Sequence, residues 1–186
     1  MKLEPDAELE NEAFENESFR GLDLSGLRTT RCTFRGCDFT LAQITGSEHV
    51  GSDFANSLFE TANLFGSRFH ECRLTGASFA GATLTGLSVE GGDWSYVLLR
   101  GQELASLDLR NVRLREADLA EADLTDADLR GADLTRARLH NAILAGADLR
   151  DALLDGVDLS AARVAQARLD LAGSVQLARS LGAEVD

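Results

Sequence analysis

Proline is almost missing from this sequence, with one in 186 residues, and no apolar run approaches the ~20 residues that a membrane-spanning helix needs. The acidic beginning, MKLEPDAELENE, lacks the apolar segment of a signal peptide. These absences argue against a membrane or secreted protein and predict a cytoplasmic location.

Positive charge is also scarce. Eighteen Lys and Arg residues stand against 31 Asp and Glu residues, which gives a formal net charge of −13. Such a charge argues against direct binding to nucleic acid or to anionic lipid, because both are themselves polyanions. It favours a basic partner, or simply solubility.

What the sequence does contain is a repeat of five residues, clearest in EADLAEADLTDADLRGADL at 116–134. From Phe14 to Leu169, every residue whose number ends in 4 or 9 is large and apolar, except Thr29 and His49. A small or apolar residue stands two places earlier, a polar residue lies between the two, and Gly is common in the last place. No insertion breaks this register.

A five-residue period fits neither a helix nor a plain strand. On an α-helix the repeated Leu would spiral around the axis and form no stripe. Small and large residues two places apart share one side of an extended segment, and the polar pair with Gly is typical of a turn. Most phenylalanines recur at intervals of twenty, which is four units. We therefore predict an all-β, quadrilateral parallel β-helix of about eight coils.

GADLTRARL and GADLRDALL carry a family resemblance. The chain resembles the pentapeptide-repeat proteins, whose pattern is A(D/N)LXX, over residues 12–170. SEHVGSDF and the uninterrupted coils are most similar to the mycobacterial fluoroquinolone-resistance subgroup. The resemblance implies a right-handed quadrilateral β-helix that mimics DNA, binds DNA gyrase and dimerises through its C-terminal end.

The distribution of charge is consistent with mimicry. Eight coils at ~4.8 Å form a rod of roughly 40 Å, so the net charge is about one per 3 Å, against one per ~1.7 Å in B-DNA. Stacking places Asp108, Asp128 and Asp148 in one outward column, which looks like an uncompensated ladder of like charge. A second column, which includes Asp53, Arg73 and Asp93, alternates in sign and looks structural. The predicted partner-binding acidic patch consists of Glu103, Asp108, Glu121, Asp123, Asp126, Asp128 and Asp148. Plain solvation of the surface is the alternative.

The two ends depart from the repeat. Residues 1–11 form an acidic extension, residues 12–170 the β-helix, and residues 171–186 a short C-terminal helix that Ser174 could cap. Val175, Ala178 and Leu181 would share one face of that helix. This face could cover the open end of the solenoid, or it could form a homodimer, as the resemblance implies.

Residues suited to catalysis are few. Cys32, Cys37 and Cys72 occupy the small inward place, where Cys acts as a small hydrophobe. The histidines fall on different columns, so we expect no metal cluster, and His49 is expected to be a hydrogen-bonded core residue. There is no Gly-rich phosphate loop and no nucleophile–base pair. We predict no catalytic residue, metal or cofactor.

The sequence thus favours a non-enzymatic DNA mimic that binds gyrase, competes with DNA and protects against quinolone-type inhibitors. The alternative is a pentapeptide-repeat scaffold or immunity protein with another partner, because the repeat is far more specific for fold than for function. An enzyme is a more distant third class.

Overall fold

The chain forms a four-sided parallel β-helix in which each side is one five-residue unit. The computed structural model describes residues 3–185; Met1, Lys2 and Asp186, which belong to the predicted terminal segments, lie outside the described residues. The regular elements are β1 (Glu8–Glu10), β2 (Ala13–Glu15), β3 (Arg28–Thr30), β4 (Thr33–Arg35), β5 (Glu48–Val50), β6 (Arg68–His70), β7 (Ser88–Glu90) and α1 (Leu171–Ser180).

Parallel pairing joins residues that are twenty apart. β1, β3, β5, β6 and β7 form one sheet in that order, and β2 and β4 form another. Isolated bridges with the same offset continue to Asp148 and Arg168, so eight steps of twenty residues separate Glu8 from Arg168. The predicted fold of about eight coils is confirmed. β1 lies within the segment 1–11 that the sequence sets apart, and it pairs with β3.

We number the four sides by their inward residues. Face 1 carries Leu9 and every twentieth residue after it, face 2 starts at Phe14, face 3 at Phe19 and face 4 at Leu24. All inward residues from Phe19 to Leu159 are buried, including both exceptions to the apolar rule. On each face the outward residue directly precedes the inward one.

Each corner depends on one residue with a positive φ. Leu22 donates its N–H to the carbonyl of Phe19 at 3.1 Å, and Gly21 between them has a φ of 65°. A positive φ at the third residue of such a turn defines type II, which glycine adopts without strain. The same place has a positive φ at every corner from residue 6 to residue 166 except Ala161. The Gly of the repeat is therefore the corner residue.

Stacks of like side chains fill the core. Phe34 stacks on Phe54, and Phe39 on Phe59, with ring centroids 5.0 Å apart in both pairs. Trp94 closes the aromatic part of the core by stacking near Phe79 at 5.7 Å. Beyond Trp94 the inward places hold mainly Leu, with Ala two places earlier. The three cysteines are free and buried, as the repeat predicts.

The two polar residues in the core line form a buried hydrogen-bond network. The His49 ring has Nδ1 at 2.8 Å from the Thr29 hydroxyl and Nε2 at 2.9 Å from the Ser47 hydroxyl. The Thr29 hydroxyl also lies 3.0 Å from that of Ser52. Burial lowers the pKa of His49 to about 3, so the ring is neutral at neutral pH. The expectation of a hydrogen-bonded core histidine is confirmed.

Helix α1 covers the last coil. Leu177 packs against the core, and the Gln176 amide donates to the carbonyl of Val157 at 2.6 Å. The Ser180 hydroxyl lies 3.3 Å from the same carbonyl. The helix thus takes the place that a ninth coil would occupy on this side.

The N-cap of α1 differs from the one that the sequence suggests. Asp170 is the N-cap, and its carboxylate accepts the N–H of Gly173 at 2.8 Å. It lies four residues before Ser174, and α1 begins at Leu171, where the predicted segment 171–186 also begins. The Ser174 hydroxyl instead donates to the carbonyl of Asp170 at 2.7 Å.

The ladder of backbone hydrogen bonds opens in the middle of the rod, on faces 4 and 1. One coil earlier, Leu64 N–H donates to the carbonyl of Thr83 at 2.9 Å, whereas Leu84 N–H has no acceptor in the described part of the chain. Faces 2 and 3 of the same coils stay bonded, as between Trp94 N–H and the carbonyl of Arg113 at 2.8 Å. The other N–H groups without a ladder partner here belong to Gly81, Gly86, Val89, Gly91, Glu103 and Asp108.

Larger residues at the small inward place give a physical reason for this opening. On face 1, the small inward place holds Ser47 and Ser67 in the coils before the opening and Ala127 in the coil after it. At the opening itself this place holds Leu87 and Leu107. Two stacked leucines need more axial room than two serines or alanines, and they hold the backbones of adjacent coils apart.

We expect the amide protons of Leu84 and Gly86 to exchange with solvent faster than those of Leu64 and Gly66. The latter pair occupies the same places one coil earlier and is hydrogen-bonded at 2.9 and 3.0 Å. Exchange through local opening is slow only where a bond must break first. Hydrogen exchange resolved by residue measures the difference, and equal protection of the two pairs would contradict the opening.

We also expect the free energy of unfolding to decrease as the pH is lowered, because of His49. A histidine whose folded pKa is depressed to about 3 contributes stability that is present above its unfolded pKa of ~6.5 and is lost progressively as the pH falls towards 3. Thermal melts between pH 7 and 5, where most carboxylates stay ionised, isolate this effect. The melting temperature of His49→Phe should vary less over that window than that of the wild type; parallel curves would refute the assignment.

Candidate protein-binding surface

The three aspartates predicted to form a ladder do stack on face 1. Asp128 is bridged in parallel to Asp108 on one side and to Asp148 on the other. We call Asp108, Asp128 and Asp148 the aspartate ladder. Their side-chain exposure falls along the column, from 51% at Asp108 to 28% at Asp128 and 14% at Asp148.

The expectation that this ladder is uncompensated is wrong. An arginine follows each aspartate by two residues at the adjoining corner, and its Nη2 lies 2.6 Å from the carboxylate Oδ2. The pairs are Arg110–Asp108, Arg130–Asp128 and Arg150–Asp148. Arginines also reach the next coil, with Arg110 at 3.6 Å from Asp128 and Arg130 at 4.0 Å from Asp148. Negative and positive side chains therefore alternate along the column.

Ion pairing also lowers the pKa values of the three aspartates. The hydrogen bond from Arg110 lowers the pKa of Asp108, and that from Arg130 lowers the pKa of Asp128. The same contact with Arg150 lowers the pKa of Asp148 to about 2. The ladder stays ionised at any physiological pH, but its field is largely cancelled within a few ångströms.

Other columns are compensated too. On face 2, Asp53 lies 2.7 Å from Arg35 and 3.7 Å from Arg73, which agrees with the structural role predicted for that alternating column. On the N-terminal part of face 1, Arg28 lies 2.7 Å from Glu8 and 4.0 Å from Glu48. Much of the charge of this protein is thus arranged in stripes of opposite sign.

Three predicted patch residues keep uncompensated charge: Glu103, Asp123 and Asp126, which we call the acidic strip. Glu103 and Asp123 are bridged neighbours on face 4, and Asp126 is exposed at the adjoining corner. Within residues 3–185, no basic nitrogen lies within 4.0 Å of any of the three. Hydrogen bonds from the Thr125 hydroxyl and N–H lower the pKa of Asp123, so like charges face each other here.

The remaining patch residue is intermediate. Glu121 lies at the corner between faces 3 and 4, and its carboxylate is 2.8 Å from the Arg100 guanidinium. Both side chains are about half exposed, at 54% and 55%, so the pair is well solvated and weak. Glu121 therefore borders the acidic strip without adding its full charge.

The arginines of the ladder could not be found from the outward columns alone, because they lie at the corners beside the column. The signal was the tripeptide Asp-Leu-Arg, which occurs at 108–110, 128–130 and 148–150. In an extended segment residues two apart point to the same side, so each Arg can reach its own Asp.

The C-terminal helix presents apolar side chains to solvent. Leu181 is 68% exposed, and Val175 and Ala178 are partly buried. Leu171, which the sequence analysis did not select, is 82% exposed. Leu177, also not selected, is the helix residue that packs on the core. The helical period alone could not separate the side facing the last coil from the side facing solvent.

Among residues 3–185, no group of three or more His, Cys, Asp and Glu side chains could hold a metal ion. Burial raises the pKa of the Cys72 thiol to about 12, so it is not a nucleophilic thiolate. No helix in the same residues is long and apolar enough to span a membrane.

Comparison with known proteins finds a matching family model and solved structures with a similar fold. A family model described as pentapeptide repeats matches in eight copies, over residues 50–81, 62–93, 95–131 and 132–170. Two trypsin-treated variants of QnrB1, a plasmid-mediated fluoroquinolone resistance protein, have solved structures 25% identical to this chain. They match over 98% of this chain and 91% of theirs, with TM-scores of 0.86 and 0.87. No curated protein matches.

Proposed function

Because this chain belongs to the pentapeptide-repeat family, we propose that it is a non-enzymatic DNA mimic that binds DNA gyrase and protects it from quinolone-type inhibitors. The observation that carries the proposal is the likeness, over 98% of the chain, to a fluoroquinolone resistance protein. In this proposal the protein acts in the cytoplasm, needs no cofactor and binds neither membrane nor nucleic acid itself.

Shape and charge support competition with DNA. Eight stacked coils form a rod of roughly 40 Å, and a net charge of −13 gives it a linear charge density within a factor of about two of B-DNA. A basic DNA-binding surface on gyrase would gain the same kind of counterion release from this rod as from a duplex. Occupying that surface would reduce the amount of DNA available for drug-stabilised cleavage.

Within the predicted patch, we propose that the acidic strip contributes most to binding. Within residues 3–185, no basic nitrogen lies within 4.0 Å of the carboxylates of Glu103, Asp123 and Asp126, and the repulsion between them is relieved when a basic partner approaches. Arg163 lowers the pKa of Asp123 from a longer distance, with a weaker effect than the Thr125 hydrogen bonds. The aspartate ladder already has its cations in place. A gyrase Lys or Arg would have to displace these internal arginines for little net gain.

We further propose that the chain is a homodimer formed through α1. The helix is anchored to its own last coil by Leu177, which leaves Leu171 and Leu181 as the exposed apolar surface at that end. Pairing two such ends would bury these leucines and give a rod of roughly 80 Å with both acidic strips in its central half.

The first test separates the two groups of acids. Glu103→Gln, Asp123→Asn and Asp126→Asn together should weaken inhibition of gyrase supercoiling and flatten its salt dependence, because three uncompensated charges are lost. The matched triple change of Asp108, Asp128 and Asp148 to Asn should affect inhibition less than the acidic-strip variant does. It should lower the melting temperature more, because three arginines lose their carboxylate partners. Supercoiling assays with and without a fluoroquinolone, at several salt concentrations, measure both variants.

Equal gyrase inhibition by wild type and by the acidic-strip variant would mean that this strip is only a solvated surface. A stronger loss in the ladder variant, with its fold intact by circular dichroism, would place the mimicry on face 1 instead. No effect of the wild type on gyrase at all would overturn the proposed function.

The second test concerns the dimer. Leu171→Asp with Leu181→Asp should give a folded monomer, because both leucines are exposed in the single chain and Leu177 still anchors the helix. Its melting temperature should fall only by the amount that dimerisation contributes. Deleting residues 171–186 should also abolish the dimer, but it exposes the last coil and favours aggregation. Sedimentation velocity distinguishes these states. A double variant that remains dimeric would show that the contact lies elsewhere.

A further inference from the structure

A cleft on face 3, next to the last coil, gathers basic side chains on an otherwise acidic molecule. Its volume is about 260 Å³. Arg136, Arg138 and His140 line it from one coil, and Asp158 and Ala161 from the next. All of these lie outside the predicted acidic patch and outside the surface proposed for gyrase.

The arginines of this cleft differ from most others in the chain. Neither Arg136 nor Arg138 has a carboxylate within 4.0 Å in the described part of the molecule, although both are exposed. Arg100, at the far side of the cleft, is already occupied, at 3.6 Å from Asp118 and 2.8 Å from Glu121. Arg138 follows Asp118 in an outward column of face 3, but Asp118 is paired with Arg100, so within the described residues neither cleft arginine has a carboxylate at ion-pairing distance.

The backbone opens at the same place. One coil earlier, Leu119 N–H donates to the carbonyl of Arg138 at 3.0 Å, whereas Leu139, Asn141 and Asp158 N–H have no acceptor within residues 3–185. The carbonyls of Ala137, Asp158 and Ser160 are likewise left free of ladder bonds. Ala161 is also the one corner residue that lacks a positive φ.

Helix α1 replaces the next coil at this end of face 3. The N–H of Leu159 donates to the Ser180 hydroxyl at 3.1 Å, and the carbonyl of Val157 accepts from the Gln176 amide. In earlier coils the same places bond to the following coil, as Leu119 N–H and the Val97 carbonyl do. The cleft lies between this last coil, which the helix covers, and the coil before it.

We propose that this cleft binds a small phosphate anion, with pyrophosphate as a suitable ligand. Two guanidinium groups offer paired N–H donors that match phosphate oxygens, and His140 and the free backbone N–H groups add further donors. At about 30 Å³ per water molecule, the volume suits a small polyatomic ion with its waters rather than a chain segment. The net charge repels long polyanions such as DNA.

Two features of the cleft disfavour the binding of an anion, but the effect of each is small. Asp158 is a carboxylate in the lining, but it accepts the Ser160 N–H at 2.8 Å and lies close enough to His140 to be lowered in pKa by it, after the stronger effect of Ser160. The free carbonyls lie at an open surface, where solvent water can hydrogen-bond to them. Two unpaired arginines outweigh one partly satisfied carboxylate.

Pyrophosphate binding to the intact protein tests the proposal. Isothermal titration at fixed ionic strength should show one pyrophosphate per chain, and the melting temperature should rise relative to the same ionic strength of sodium chloride. The Arg136→Gln and Arg138→Gln double variant should bind roughly tenfold more weakly or worse, because both charge-assisted contacts are lost. Gyrase inhibition by this variant should be unchanged, which keeps the result independent of the proposed function.

Arg113→Gln is the matched control, since within the described residues Arg113 also has no carboxylate within 4.0 Å but lies on face 2, away from the cleft. Its pyrophosphate affinity should equal that of the wild type. Equal binding by wild type and the double variant, or equal loss in the control, would overturn the proposal. A short oligonucleotide that bound at the cleft where pyrophosphate did not would overturn the assignment to a small anion.

Discussion

A chain that turns four corners in twenty residues needs a residue with a positive φ at almost every corner, and between residues 6 and 166 only Ala161 lacks one. Every other property of this rod depends on that requirement. It fixes the period at five, because a straight side must hold one small and one large inward residue between corners. Glycine meets it without cost, but Thr61, with a φ of 54°, does not. Strain at such corners is held by the stacked core, in which phenylalanine rings lie about 5 Å apart from coil to coil.

Because no insertion breaks the register, the outward residues of successive coils also lie directly next to one another. An outward residue meets its own kind one coil away, so a repeated Asp creates a column of like charge unless something intervenes. Here the intervening group is the Arg two residues later, as at Asp108 and Arg110. On face 4 no such Arg follows Glu103 or Asp123, and Thr125 binds the latter instead. Whether a stripe is neutral or acidic therefore depends on the corner residues beside it as well as on the outward residues of the face.

The sequence predicted the fold almost completely, because each inward place is read directly from the period. The burial of His49 followed from its place in that register, even though its residue type argued against it. Charge pairing was less accessible, since it depends on the reach of side chains between adjacent sides as well as along columns. The N-cap of α1 was missed by four residues because Asp170 and Ser174 are both good caps, and the repeat pattern does not distinguish between them. The openings of the ladder left only a faint signal, in Leu87 and Leu107.

The opening between those two leucines bears on how the molecule folds. A solenoid behaves as a one-dimensional array whose cooperativity depends on contacts between adjacent coils. At this junction two of four sides have lost their backbone bonds, while the aromatic stack ends close by at Trp94. Nearest-neighbour coupling is therefore weakest there. We therefore expect the rod to unfold as two cooperative blocks, an aromatic N-terminal one and an aliphatic C-terminal one that carries α1.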